Sequence, residues 1–177
     1  MNYRTKTYLA AAWTEESDAI EQLFKWNDND RFSLHFKNVH EYIQSRDSSY
    51  PCSIKKSLSE RMDISKIFVL IVGNNTNAVR KGSCIYCQRF KSNSNTCYSN
   101  MNQNYKSYIE YECDRAKRDF LDRKLQIIVL YNSCYVIRDR CPESIRDYGI
   151  HVAMKINNEY DYKKVLRAFF YAELNAN

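Results

Sequence analysis

The sequence predicts a three-layer α/β sandwich around a central, mostly parallel, five-stranded sheet. Two runs, Lys66-Ile-Phe-Val-Leu-Ile-Val72 and Leu125-Gln-Ile-Ile-Val-Leu-Tyr131, are apolar at nearly every position. Strands that are apolar on both faces belong inside a parallel sheet covered on two sides. Stretches of helical periodicity alternate with strand signals along the whole chain, in the order β-α-β-α-β-α-β-α-β-α, which is the pattern of such sandwiches.

Thr5 to Trp13 reads as a first strand running into a small-residue loop, and Thr14 is placed to cap the next helix. Glu15 and Glu16 suit that helix's first turn, and Ile20, Leu23 and Phe24 form its inward stripe. Arg31-Phe-Ser-Leu-His-Phe36 alternates polar and apolar, as an edge strand does. A polar connection, Gln44 to Ser49, leads to a helix at about Ser53 to Met62 with Ile54, Leu58 and Met62 at spacings of four. The strand Lys66 to Val72 is followed by a long polar segment, Asn74 to Lys106, and then by a helix opening at Ser107. After the strand Leu125 to Tyr131 come a short helix near Pro142 to Asp147 and a last strand, His151 to Ile156. The closing helix, Asp161 to Leu174, carries Val165, Phe169 and Ala172 on its inner stripe.

At 177 residues with 44% apolar content and only 3 Gly and 2 Pro, the chain fits one domain with a substantial core. No apolar run approaches the roughly 18 residues of a membrane span. The N-terminus leads into the first strand without a signal-peptide hydrophobic region, so a cytoplasmic protein is expected. The net charge of +6 invites a nucleic-acid partner, but Lys and Arg are interspersed with Asp and Glu along most of the chain and form no compact basic run. Seven Cys without a secretory context do not describe a disulfide framework. Cys84-x2-Cys87 with Cys97 ten residues on has the half-site spacing of zinc, but its sequence neighbourhood supplies no fourth ligand; free thiols in a loop are the alternative. His35, His40 and His151 fall in or near strands and read as structural. No phosphate-cradling glycine loop and no HExxH motif occurs.

The most informative stretch is Ser107-Tyr-Ile-Glu-Tyr-Glu-Cys-Asp-Arg-Ala116. At 100° per residue, Ile109, Cys113, Ala116 and Phe120 share the core-facing side. Glu110 points to solvent, and Ser107-x-x-Glu110 fits a capping box. Glu112 falls at the border of the apolar stripe with no such structural duty, and Tyr108 and Arg115 lie beyond it.

With this order of elements, Lys6-Thr-Tyr-Leu-Ala-Ala-Ala-Trp13, Ser53-Ile-Lys-Lys-Ser-Leu58, Ile67-Phe-Val-Leu-Ile-Val-Gly73 and Tyr108-Ile-Glu-Tyr-Glu112 resemble the Toll/interleukin-receptor (TIR) domain family. More closely, the chain resembles the TIR-like proteins of bacterial Thoeris anti-phage defence. The resemblance implies a single flavodoxin-like, TIR-like domain over residues 1–177, with a Cys-containing insertion at about 74–106. It also implies an enzyme that cleaves NAD, as substrate rather than cofactor, at the nicotinamide–ribose bond and needs no resident cofactor. The product would be a cyclic or conjugated ADP-ribose signal that activates a partner effector after a phage-derived trigger, in a protein able to self-associate.

The resemblance puts Glu112 at the family's catalytic glutamate and makes Trp13, Asp47, Ser48 and Tyr108 the substrate-binding candidates. Each has a second reading: Glu112 as a boundary salt bridge, Trp13 as packing, Asp47 and Ser48 as turn chemistry, and Tyr108 as a half-buried aromatic; Arg115 reads as an ion-paired residue rather than a phosphate ligand. The first-strand loop Ala11-Ala-Trp13 and the Arg46-Asp-Ser-Ser49 segment both depart from the common TIR pattern. Two other classes fit parts of the chain: a non-catalytic TIR-like interaction module, and a different flavodoxin-like domain that binds nucleic acid.

Overall fold

A computed structural model of the chain describes residues 4–31, 33–39, 50–94, 96–97 and 104–176. In chain order the elements are β1 (Lys6–Ala10), α1 (Ser17–Asn27), α2 (Pro51–Asp63), β2 (Ser65–Val72), the short strands β3 (Phe90–Lys91) and β4 (Thr96–Cys97), and α3 (Tyr108–Leu121). They continue with β5 (Gln126–Tyr131), β6 (Ile150–Ala153), β7 (Lys155–Ile156), β8 (Glu159–Tyr160) and α4 (Tyr162–Asn175). Proline at the first position of α2 suits a helix start, where its missing N–H costs nothing.

The main sheet has the order β1-β2-β5-β6, and every neighbouring pair is parallel. Ile67 to Val72 and Ile127 to Tyr131 expose at most 2% of any residue. Period-two alternation sends their side chains into two separate cores. Tyr8, Phe68, Leu70, Val72, Ile127 and Val129 pack with Leu58 and Met62 of α2 and Ile109, Cys113 and Ala116 of α3. Leu9, Ile67, Val69, Ile71, Ile128 and Leu130 pack on the opposite face with Ala19, Ile20 and Leu23 of α1 and Val165, Phe169 and Ala172 of α4. The three layers expected from the sequence are therefore present.

The expected fifth strand at Arg31–Phe36 is not a strand. Asn27, at the end of α1, takes both backbone groups of Phe36: Nδ2 donates to its carbonyl at 3.1 Å, and Oδ1 accepts its N–H at 3.0 Å. Ser33 Oγ donates to the Asn27 carbonyl and accepts from the amide of His35, whose φ is +56°. These groups are unavailable to a ladder, so β1 gains a single parallel bridge, Thr7 to Asn38, with the Thr7 N–H donating to the Lys37 carbonyl at 2.8 Å. The alternating pattern reports burial instead: Leu34 and Phe36 are 5% and 6% exposed, and Phe36 stacks on Phe169 at 5.5 Å.

Three further boundaries differ. Thr14 does not cap α1, because Glu15 and Glu16 both donate their amides to the Ala12 carbonyl and the helix begins after that turn. The short helix near Pro142 is a single 3-10 turn, Glu143–Ile145. The predicted last strand divides at Met154, where β7 leaves the main sheet and pairs antiparallel with β8. Asn157 and Asn158 connect them with φ of +49° and +65°, the left-handed pair that a two-residue hairpin requires.

α3 is tied down at both ends. Its capping box is complete: Ser107 Oγ accepts the Glu110 amide at 3.2 Å and Glu110 Oε2 accepts the Ser107 amide at 2.6 Å. Toward the other end, Asp119 is 2% exposed and accepts from Arg4 Nη1 at 2.9 Å and Arg115 Nε at 3.1 Å. Arg115 also reaches Asp63 and Ser59 on α2, so it is an ion-paired residue.

Among the described residues no helix is long and apolar enough to cross a membrane. Burial sets the expected cost of side-chain truncation: Leu130→Ala, in the sheet core, should lose about 2–5 kcal/mol of unfolding free energy. Leu121→Ala, on a side chain 58% exposed, should stay within about 0.5 kcal/mol. Urea denaturation of both variants measures the contrast, and equal losses would contradict the assigned layering.

Candidate functional site

The site forms where β1 passes beneath the first two turns of α3. Parallel register sets Tyr8 opposite Phe68, and their rings stack at 5.7 Å with 22° between planes. Tyr8 is completely buried, and a buried phenol needs an acceptor for its hydroxyl. That acceptor is Glu112: Tyr8 Oη donates to Glu112 Oε1 at 2.5 Å.

Glu112 is more deeply placed than its border position on the helix suggested. It is 6% exposed and lies inside the α2/α3 layer, because the ring of Tyr8 brings a polar group up to meet it. Burial raises its carboxyl from the ordinary 4.5 to about 7, against the lowering influence of the Tyr8 hydrogen bond and the Arg61 charge. Burial and the adjoining carboxylate hold the Tyr8 phenol well above its ordinary range, so it remains a donor at neutral pH. Cys113, the next residue on α3, is fully buried and its thiol is likewise pushed well up, mainly by burial.

One turn before Glu112, Tyr108 is half-buried at the head of the helix. Its amide donates to the Lys81 carbonyl at 2.9 Å, and its ring lies over Gly82. A Cβ at Gly82 would come within 2.5 Å of that ring, and φ is +99°, so only glycine allows this approach. Lys55 of α2, 4% exposed, donates to the carbonyls of Asn104 at 3.1 Å and Lys106 at 2.6 Å. It thereby anchors the segment that delivers the α3 N-cap. Ala12, in the loop after β1, packs on the same core as Tyr108.

The structure thus brings Glu112, Tyr108 and the loop after β1 to one face of the sheet. Trp13 follows Ala12 in that loop and is 46% exposed. Asp47 and Ser48 lie outside the described residues. Tyr8, Arg61, Lys55 and Gly82 were not singled out from the sequence. For Tyr8 a signal existed, since a tyrosine inside a doubly buried strand must find a polar partner somewhere. Arg61 and Lys55 carried none, because a buried cation on a helix looks in sequence like a solvated one.

Cys84 is buried, and its Sγ accepts the Asn104 amide at 3.3 Å. Cys87 is half-buried, and Cys97 pairs through its backbone with Phe90 across β3 and β4. Among the described residues, no group of three or more His, Cys, Asp and Glu side chains could hold a metal ion. His151 has a structural role: the Tyr148 carbonyl can only accept, so Nε2 carries the proton and Nδ1 accepts from Tyr131 Oη at 2.9 Å.

The burial of Glu112 has a pH-dependent cost. A carboxyl raised in the folded state to about 7 binds more protons folded than unfolded between pH 4.5 and 7. Stability therefore falls as pH rises through that window and stays lower above it. Glu112→Gln should exceed wild type in unfolding free energy at pH 8 by on the order of 3 kcal/mol and lose that advantage near pH 4.5. Urea melts at the two pH values test this, and an advantage independent of pH would contradict it.

The family model for the TIR-like domain of the Thoeris protein ThsB matches residues 8–81. The matched span runs from Tyr8 in β1 through α1, α2 and β2, and it stops before α3 and Glu112. None of the curated proteins compared with the chain matches it. Both β1 and β2 lie in the matched span, and the parallel three-layer architecture agrees with this similarity to a TIR-like domain of the ThsB type.

Proposed function

We propose that this protein cleaves NAD at the nicotinamide–ribose bond, with Glu112 as the catalytic carboxylate, and releases an ADP-ribose-derived signal to a partner effector. The observation that carries the proposal is a carboxylate buried between α3 and the sheet on a Tyr8 hydrogen bond, where its desolvation costs stability, in a chain whose residues 8–81 match the ThsB TIR-like family model. A buried ionisable group with a strongly raised pKa marks a candidate functional site.

The bond that breaks joins ribose C1′ to the nicotinamide nitrogen, and its electron pair leaves with nicotinamide. Positive charge develops over C1′ and the ring oxygen. A preorganised carboxylate at the ribose hydroxyls offsets that charge without reorganising, because the helix and Tyr8 already hold it. The ADP-ribosyl unit then passes to water, to the adenine of the same molecule, or to an added nucleophile, with a proton lost from the acceptor. Tyr108, Trp13, Asp47 and Ser48 are proposed to line the substrate. A phage-derived trigger, self-association and a cytoplasmic setting belong to the same proposal.

A non-catalytic interaction module is the second reading, favoured by the small exposure of Glu112, 6%. Mass-resolved incubation with NAD, with and without extract of phage-infected cells, separates the two. Wild type should consume NAD and release nicotinamide with an ADP-ribose-type product, and Glu112→Gln should lose on the order of 10²-fold or more in rate. Absence of turnover in both conditions, from folded protein, would transfer the assignment to the interaction module.

A further inference from the structure

We infer that Tyr8 is a positioning residue for Glu112: its hydroxyl occupies Oε1, holds the carboxylate in one rotation, and leaves Oε2 to face the ribose. The inference rests on the NAD-cleaving reading and adds to it a second residue with a distinct role. Among the described residues the Tyr8 hydroxyl is the one hydrogen-bond donor to this carboxylate, and the bond lies on Oε1 at 2.5 Å.

Packing alone does not account for a tyrosine at position 8. Its ring stacks on Phe68 and is fully buried among aliphatic and aromatic neighbours, which a phenylalanine would satisfy equally. The hydroxyl adds the contact to Glu112. A glutamate side chain has three rotatable bonds, and a carboxylate free to turn about them would meet its substrate in several orientations. Fixing one oxygen to a rigid aromatic on the central sheet removes that freedom before substrate arrives, which is the usual function of a supporting hydrogen bond.

Among the described residues, the titratable and charged groups that act on Glu112 are Tyr8 from β1, Arg61 from α2 and Cys113 on α3 itself. Cys113 stays protonated, since burial and Glu112 both push its thiol up. Tyr8 and Arg61 both favour the ionised carboxylate and oppose its burial. Removing the Tyr8 hydroxyl should therefore raise the pH at which Glu112 ionises.

The test is Tyr8→Phe, read in two ways. Carbon-13 NMR titration of the Glu112 carboxyl should move up by about one pH unit, without any need for NAD. In NAD turnover, kcat should fall about 10- to 100-fold with KM little changed, and the rising limb of the pH profile should shift upward with the titration. An unchanged Glu112 titration and an unchanged limb would overturn the inference. A wild type that turns over no NAD would instead overturn the reading of the site, leaving the NMR titration to decide whether the pairing holds. If Tyr8→Phe does not fold, the reciprocal measurement uses Glu112→Gln. Without the carboxylate, the Tyr8 phenol should titrate at lower pH by ultraviolet absorbance, and an unmoved titration would count against the pairing.

Discussion

Ile67 to Val72 and Ile127 to Tyr131 have no face that tolerates water, and the remaining architecture follows from that constraint. Two adjacent strands buried on both sides need a helical layer above and another below. α2 and α3 supply one layer, and α1 and α4 supply the other. Once β1 pairs in parallel register with β2, alternation sends Tyr8 to the α2/α3 side and Leu9 to the α1/α4 side. The meeting of Tyr8 with Glu112 is thus a consequence of sheet register and of the turn at which α3 begins.

The start of α3 is in turn held by several weak devices acting together. The capping box fixes the first turn, Lys55 holds the preceding segment to α2, and the Tyr108 ring seats on Gly82. Each is worth only about 1–2 kcal/mol by itself. Together they restrict the helix to one phase, and that phase decides which residue of Glu110 and Glu112 turns inward. Glu110 is used up by the cap. Glu112 is left to the interior, where burial outweighs both of its favourable partners and lifts its carboxyl to about 7. A group that titrates near neutrality can hold or release charge at ordinary pH.

At the other edge of the site, the strand ends are joined by polar side chains. Asn132 Nδ2 donates to Glu16 at 2.8 Å and to Asp18 at 3.1 Å, and Tyr160 Oη donates to Asp18 at 2.7 Å. The Glu16 carboxylate lies directly against Gly73, and a Cβ there would have to displace it. These contacts tie the start of α1 to the ends of β2, β5 and β8, and so hold the loop that carries Ala12 and Trp13.

Local pattern is enough to assign the two central strands, the stripes of α1, α3 and α4, the capping box, and Glu112 as the glutamate that the cap does not use. Each of these depends on residues close in sequence, where helical and strand periodicity act directly. The segment after α1 was misread, because Asn27 captures the backbone of Phe36 and cancels a strand that alternation alone would predict. The division of the last strand at Met154 was hidden for a related reason, since two asparagines in left-handed conformation create a hairpin that hydrophobicity does not record. The depth of Glu112, its hydroxyl partner 104 residues away in sequence and the buried cations Arg61 and Lys55 were settled only by tertiary structure. Desolvation and long-range hydrogen bonds depend on which faces meet in space, and sequence spacing alone does not specify that.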